Sequence, residues 1–164
     1  MDISVLILTK NEEDIIDDCL KQITFANEII ILDQDSNDNT VKLAKKYTSK
    51  IYTSHIADFA KNRDTLASFA RNEWILYLDA DERVTEGVLE EIKEIVKNPS
   101  FDAYYFNRKN YILGILTRHG GWWPDPAPRL FKKSRLQNWY GNVHETPIVK
   151  GEMGFAKNPI IHLT

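Results

Sequence analysis

The stretch Trp74-Ile75-Leu76-Tyr77-Leu78-Asp79-Ala80-Asp81-Glu82 decides how this chain is read. Five apolar residues end abruptly in a cluster of acids. The apolar part predicts a buried strand, because a short continuous apolar run suits a strand covered on both faces. In an extended segment, residues one apart project to the same side, so Asp79 and Asp81 are expected to point together. Two carboxylates held so close repel, and burying either one unpaired costs roughly several kcal/mol. A hard divalent cation removes the conflict, since Mg²⁺ and Mn²⁺ favour carboxylate oxygen and share their coordination sphere with phosphates. A solvated turn capping the next helix is the alternative.

Similar runs surround this one. Ile3 to Leu8 and Glu28 to Leu32 read as buried strands, and Lys50 to Thr53 as a third short one. Between them, Ile15, Ile16, Cys19, Leu20 and Ile23 fall at helical spacing, with Glu12, Glu13 and Asp14 in the first turn. A second helix runs through Val41, Ala44 and Tyr47. A third is expected from about Asn62 to Arg71, and Val88, Leu89, Ile92, Ile95 and Val96 mark a fourth. This β-α alternation predicts an α/β fold: a Rossmann-like, mostly parallel central sheet flanked by helices. Ligands of such sheets bind beyond the carboxyl ends of the strands. Asp33, Asp35 and Asp38 follow the second strand as Asp79, Asp81 and Glu82 follow the fourth, so the acids gather on one edge. Asp38, with Ser36, reads more simply as a helix cap.

After Pro99 the texture changes. Phe101 to Tyr111 is aromatic and strand-like, Ile112 to Asp125 reads as a loop, and Pro128 to Lys133 and Pro159 to Leu163 read as short strands. The chain is expected to be one domain over residues 1–164. Residues 1–98 form a first half, and residues 99–164 a smaller mixed α/β portion continuous with it.

Bulk properties narrow the classes. With 164 residues, 43% hydrophobic and 27% charged, the chain has an ordinary globular composition and can bury a real core. A net charge of −3 gives no general attraction for nucleic acid. Cys19 is the single cysteine, which excludes an intrachain disulfide and fits a reducing compartment; its apolar neighbours predict a buried residue rather than a nucleophile. Met1 to Leu8 lack the basic region and cleavage site expected of a signal peptide, and no apolar run approaches membrane length. A cytoplasmic protein is expected, with peripheral contact to the inner face of the membrane left open.

The motifs resemble a known family. Ile-Leu-Thr9-Lys-Asn11-Glu12-Glu13, then Leu-Asp33 leading to Ser36-Asn-Asp38-Asn-Thr40, then Lys61-Asn62, then Trp-Ile-Leu-Tyr-Leu-Asp79-Ala-Asp81-Glu82 stand in the order found in family 2 glycosyltransferases. Arg129-Leu-Phe-Lys and Val143-His144-Glu145 resemble the branch containing lipopolysaccharide-core β-glucosyltransferases. The resemblance implies a GT-A fold, a nucleotide-diphospho-sugar donor (a UDP-sugar first), Mg²⁺ or Mn²⁺, and inversion at the anomeric carbon. It implies a saccharide or lipid-linked glycan acceptor, as in cell-surface polysaccharide or lipopolysaccharide synthesis. Thr9, Asn11, Glu12, Asp33, Asp35, Lys61, Asp79 and Arg129 would then face the donor, with Arg129 equally able to pair with nearby acids. Asp79 and Asp81 would serve the metal, with His162 as a further ligand or a hydrogen-bonded core histidine. Glu145 is the expected base for the acceptor hydroxyl, with His144 its competitor. Trp122, Trp123 and Asp125 would meet the acceptor, with core packing expected to claim at least one tryptophan. One departure stands out: Asp35 occupies a position where the family usually has a small residue, and Gln34 one where some members have a second Asp. The base end of the donor site is therefore expected to differ. Relatives often continue beyond this point, so a C-terminal extension is expected to be lacking.

Two rivals remain at this level. A nucleotidyltransferase also uses paired acids on an α/β sheet, but Leu8 to Glu13 lacks the glycine-rich basic loop that class usually carries. A non-catalytic sugar-nucleotide-binding module would not need Glu145.

Overall fold

The computed structural model describes residues 1–120, 122–141 and 145–163. The first half alternates as its periodicity predicts, apart from the two-residue β5, which no apolar run marks: β1 (Ile3–Thr9), α1 (Ile16–Lys21), β2 (Glu28–Asp33), α2 (Thr40–Ala44), β3 (Ile51–Thr53), α3 (Phe59–Phe69), β4 (Trp74–Tyr77), β5 (Glu82–Arg83) and α4 (Glu86–Lys97). The second half is β-rich: β6 (Ala103–Ile112), β7 (Ile115–Thr117), β8 (Pro126–Lys132), β9 (Leu136–Tyr140), β10 (Thr146–Val149), β11 (Met153–Phe155) and β12 (Ile160–Leu163).

Alternation of side chains along β1, β2 and β4 divides the core between two faces. Ile3, Val5 and Ile7, with Ile29, Ile31, Trp74 and Leu76, pack towards α1 and α4 through Ile16, Leu20, Val88 and Ile92. Leu6, Ile30, Leu32, Ile75 and Tyr77 face the other way, against Ala60 and Leu66 of α3 and Trp139 of β9. Both faces being covered is why these strands read as unbroken apolar runs. Helix α4 is fixed by its N-cap, Thr85, whose Oγ1 accepts from Val88 N–H at 3.3 Å.

The main sheet runs β3-β2-β1-β4-β8-β6-β12-β5. From β1 the chain proceeds outward through β2 and β3, then returns to place β4 on the opposite side of β1, parallel to it. Such a reversal opens a crevice at the carboxyl ends of the central strands. Beyond β4 the sheet becomes mixed: β8 lies antiparallel to β4, with Leu76 opposite Leu130, and β12 lies parallel to β6, with His162 beside Asn110.

Several local expectations change. Helix α3 begins at Phe59 rather than about Asn62, because Asp58 caps it by accepting from Lys61 N–H at 3.1 Å. The segment read as a loop from Ile112 to Asp125 contains β7, which folds back on β6. The β9–β10 pair has no counterpart among the expected strands; it is held by Trp139, whose Nε1 donates to Tyr77 Oη at 3.2 Å and whose N–H donates to Asp64. The acidic motif itself is a turn, closed by Glu82 N–H on Asp79 C=O at 2.9 Å, and not a pleated extension of β4.

Candidate active site

The crevice beyond β1, β2 and β4 is a cavity of about 520 Å³. Thr9, Lys10 and Glu12 line it from the end of β1, Gln34 from the end of β2, Asp79 and Asp81 from the acidic turn, and Phe59 and Arg63 from α3. Thr9 is 3% exposed, and its Oγ1 has no hydrogen-bond partner among the described residues. Two loops frame the cavity by locking together: Asn11 N–H donates to Ser36 Oγ, Asn37 N–H to Asn11 Oδ1, and Glu12 N–H to Thr40 Oγ1. Asn11 and Asp35 hold positive φ angles of 54° and 62° in these loops. Asp33 is buried and occupied, accepting from the Ser36 N–H and hydroxyl. Asp38 accepts from Thr40 N–H at the start of α2 and from Glu13 N–H, so it ties the two loops together; the N-cap position itself is Asn39, not Asp38 or Ser36, and Ser36 is held by Asp33 and Asn11. Asp35 faces a side recess with Lys10, Gln34, Ser54 and His55, where its carboxylate lies 3.7 Å from His55.

Because the acidic motif turns, its carboxylates diverge to different partners. Asp79 lies 2.5 Å from Arg129 Nη2 and 3.4 Å from Arg63 Nη2. Burial alone would raise its pKa, but Arg129, Arg63 and Arg108 together hold it well below the usual carboxylate range. Glu82 is fully buried and accepts from Arg129 Nε and Nη2 at 3.2 and 2.7 Å; burial raises its pKa, with the Asp79 charge adding to the rise. Arg129 therefore takes the alternative of pairing with acids, joining the two ends of the turn.

Asp81 takes the other direction. Its Oδ2 lies 3.1 Å from His162 Nε2, and its Oδ1 is buried with no partner among the described residues. His162 Nδ1 lies 2.6 Å from Asn110 Oδ1. The orientation of the Asn110 amide follows from its surroundings, since its Nδ2 has two acceptors, Trp122 C=O at 3.0 Å and Asp125 Oδ2 at 2.9 Å. His162 thus meets an acceptor at each ring nitrogen. A proton on Nε2 or a metal ion between the two groups makes the contact with Asp81 attractive. A carboxylate and an imidazole suit Mn²⁺ or Mg²⁺ as a partial ligand set, with phosphate and water completing the sphere. No group of three or more His, Cys, Asp or Glu is placed to hold a metal among the described residues, so a cation here needs ligands from the substrate.

The other expected residues are distributed as follows. Lys61 is exposed, lies 3.6 Å from Asp58, and does not line the cavity. The cation that does is Arg63, two residues on, whose guanidinium sits over the Tyr77 and Trp139 rings at 5.7 and 5.1 Å. Its signal was present: Ala60, Arg63 and Leu66 share the buried stripe of α3. Glu145 is largely buried, 4.0 Å from Arg63 Nε, and faces the cavity. His144 lies outside the described residues. Trp122 and Trp123 are 39% and 43% exposed, so the core claims neither. Asp125 is clamped by Arg108 Nε and Nη2 at 2.9 and 3.0 Å. Cys19 is buried as expected, and burial pushes its thiol up to about 12.

A second groove, of about 440 Å³, opens on the far side of Asp79. Tyr105, Arg108, Asp125 and Thr146 are on its walls, and Arg63, Asp79 and Glu145 line both spaces. Two concave spaces that meet at Arg63, Asp79 and Glu145 suit the transfer of a group between two bound molecules.

Comparison with known proteins agrees with this class. The family model "Glycosyl transferase family 2" matches residues 4–149, and the chain belongs to that family. It is 30% identical over 141 residues to an uncharacterized glycosyltransferase of Rickettsia bellii, covering 83% of this chain and 46% of that protein. It is 27% identical over 153 residues to the cholesterol galactosyltransferase of Borreliella burgdorferi, covering 88% and 43%. The chain thus spans a little under half the length of these curated relatives. Among solved structures it is similar to S. aureus TarS 1–349 in complex with UDP-GlcNAc, with a TM-score of 0.69 at 13% identity, covering 100% of this chain and 59% of that one. It also resembles glucosyl-3-phosphoglycerate synthase of Mycobacterium tuberculosis, in complex with Mn²⁺, UDP and glucosyl-3-phosphoglycerate, with a TM-score of 0.56 at 15% identity, covering 80% and 57%. The fold is GT-A.

Proposed function

We propose that this chain carries the catalytic unit of an inverting, metal-dependent hexosyltransferase. The donor is a nucleotide-diphospho-sugar, a UDP-sugar first, bound in the crevice beyond β1, β2 and β4. The acceptor is a saccharide or lipid-linked glycan of cell-surface polysaccharide or lipopolysaccharide synthesis, entering by the second groove. Residues 1–98 supply most of the donor side and residues 99–164 most of the acceptor side. The setting is the cytoplasm, at the inner face of the membrane; no helix among the described residues is long and apolar enough to cross one.

The observation that carries this reading is the sharing of Arg63, Asp79 and Glu145 by the two cavities. Inversion requires the acceptor oxygen to attack from the side opposite the leaving diphosphate, with a base beside it. Glu145 stands at that junction. Arg63 orients the donor phosphates, and Asp79, pinned by Arg129, keeps the guanidinium in place. Thr9, Asn11, Glu12, Asp33 and Asp35 shape the nucleoside end. Asp81 and His162 would hold Mg²⁺ or Mn²⁺, which when bound supplies Lewis acidity for departure of the diphosphate.

A thermal-shift panel of UDP-, GDP-, CMP- and dTDP-sugars with and without Mn²⁺ tests the donor assignment. One sugar nucleotide should stabilise the protein in a Mn²⁺-dependent way, and Asp81→Ala should abolish the effect. Stabilisation by none of them would refute the donor site. Glu145→Gln should bind donor and fail to transfer, whereas retained transfer would move the base elsewhere.

A further inference from the structure

We infer that Asn110 is a positioning residue that couples the cation site to the Trp122–Asp125 loop, so that one carboxamide fixes both. This rests on the metal reading of Asp81 and His162. Asn110 is fully buried and sits beside His162 in the parallel register of β6 and β12. That register aligns the two side chains. The carboxamide divides its work between its two atoms. Oδ1 meets His162 Nδ1 at 2.6 Å, while Nδ2 donates to Trp122 C=O and to Asp125 Oδ2. An imidazole that donates from Nδ1 presents the Nε2 lone pair, and here Nε2 faces Asp81. The same amide holds the loop whose Asp125 walls the second groove.

The consequence is mechanical. Nothing else among the hydrogen bonds described joins His162 to this loop, so a rotation of the amide that releases one partner releases the other. While the amide links them, cation binding at Asp81 and His162 orders the loop at the acceptor side, and a pull of the loop on the amide loosens the grip on the cation; with the Nδ2 donor gone the two sites part. Reciprocity of this kind is required of any two sites that share a linking element.

Two variants separate the halves of the role. Asn110→Asp keeps an acceptor for His162 Nδ1 but loses the Nδ2 donor and puts a second carboxylate against Asp125. Asn110→Leu, of similar size, removes both functions. Mn²⁺ binding is read by electron paramagnetic resonance with MnCl₂ and UDP. Loop order is read without metal by acrylamide quenching of tryptophan, since Trp74 and Trp139 are buried and Trp122 and Trp123 are exposed. Asn110→Leu is expected to weaken Mn²⁺ binding about 10- to 100-fold, the usual effect of losing such a supporting partner. Asn110→Asp is expected to bind Mn²⁺ within about threefold of wild type, a margin under one kcal/mol, yet to show raised quenching that Mn²⁺ and UDP no longer reduce. Mn²⁺ affinity in Asn110→Leu equal to wild type would overturn the inference, as would wild-type quenching in Asn110→Asp. If Asn110→Leu does not fold, the Asn110→Asp contrast decides alone. A wild-type protein that binds no Mn²⁺ with UDP would remove the metal reading and this inference together.

Discussion

Replacing Arg129 by methionine should destabilise the protein strongly at neutral pH and much less in mild acid. Arg129 is 4% exposed and serves two carboxylates, Asp79 through Nη2 and Glu82 through Nε and Nη2. Methionine fills much of the space but leaves Glu82, with no exposed surface, facing only Arg108 at 3.9 Å and the Asp79 N–H. Asp79 loses less, because Arg63 remains and 31% of its side-chain surface reaches solvent. Breaking a buried ion pair by removing one partner costs about 3–5 kcal/mol, equivalent in a domain of this size to a fall in Tm of about 6–20 °C. The pH dependence has a definite sign. Arg129 favours the charged forms of both acids, so without it their folded-state pKa values rise, Glu82 further above its already raised value. A carboxyl with a raised folded pKa takes up a proton on folding, and its penalty is relieved as pH falls through that value. Urea unfolding at pH 7.5 and pH 5 should therefore show a destabilisation that shrinks towards pH 5. A loss below about 1 kcal/mol at pH 7.5, or one that grows in acid, would refute the account of the turn.

Arg63→Met should weaken UDP binding about tenfold or more, the worth of one charge-assisted hydrogen bond; Lys61→Ala should leave it within about twofold, by calorimetry, as befits an exposed ion pair. A reversed order would make Lys61 the phosphate cation. Glu12 has a raised pKa from burial first and then from Asp81 and Asp38. A cation beside Asp81 lowers it again and displaces the proton, so Mn²⁺ affinity in the presence of UDP should increase with pH through that raised range, and less steeply in Glu12→Gln, where the His162 ligand alone remains to release a proton. A flat wild-type profile would contradict the placement of the cation. Cys19 should resist thiol reagents in the native state and react only as the protein unfolds; rapid native labelling would contradict its burial.

The first half of the fold was legible because two-sided burial writes itself into continuous apolar runs, as in β1, β2 and β4. Their carboxyl-end acids then marked the crevice. The second half was less legible: Leu136 to Tyr140 alternates poorly, since its one deeply buried residue is Trp139. For the acidic motif, spacing predicted one shared direction, and the turn sent Asp79 and Asp81 to separate partners. Arg63 was hidden by its neighbour Lys61, whose motif position drew attention from the charged residue on the apolar stripe. Asn110 left a fainter trace. Tyr104, Phe106, Arg108 and Asn110 lie on one parity of β6, and the change from aromatic to polar marks where the row passes from the apolar core to the polar site. Its meeting with His162 depends on a strand register separated by 52 residues, which no local pattern encodes.

The insertion of β8 between β4 and β6 has a consequence for modularity. The acidic turn that closes the first half is neutralised by a residue from the second, so residues 1–98 alone would carry Glu82 into the interior without a counter-charge. Exchange of second halves between members of this family, by recombination or in a chimera, is then constrained at one buried residue on the wall of the second groove. The incoming half must bring a guanidinium where Arg129 stands, or the acids after β4 must change with it.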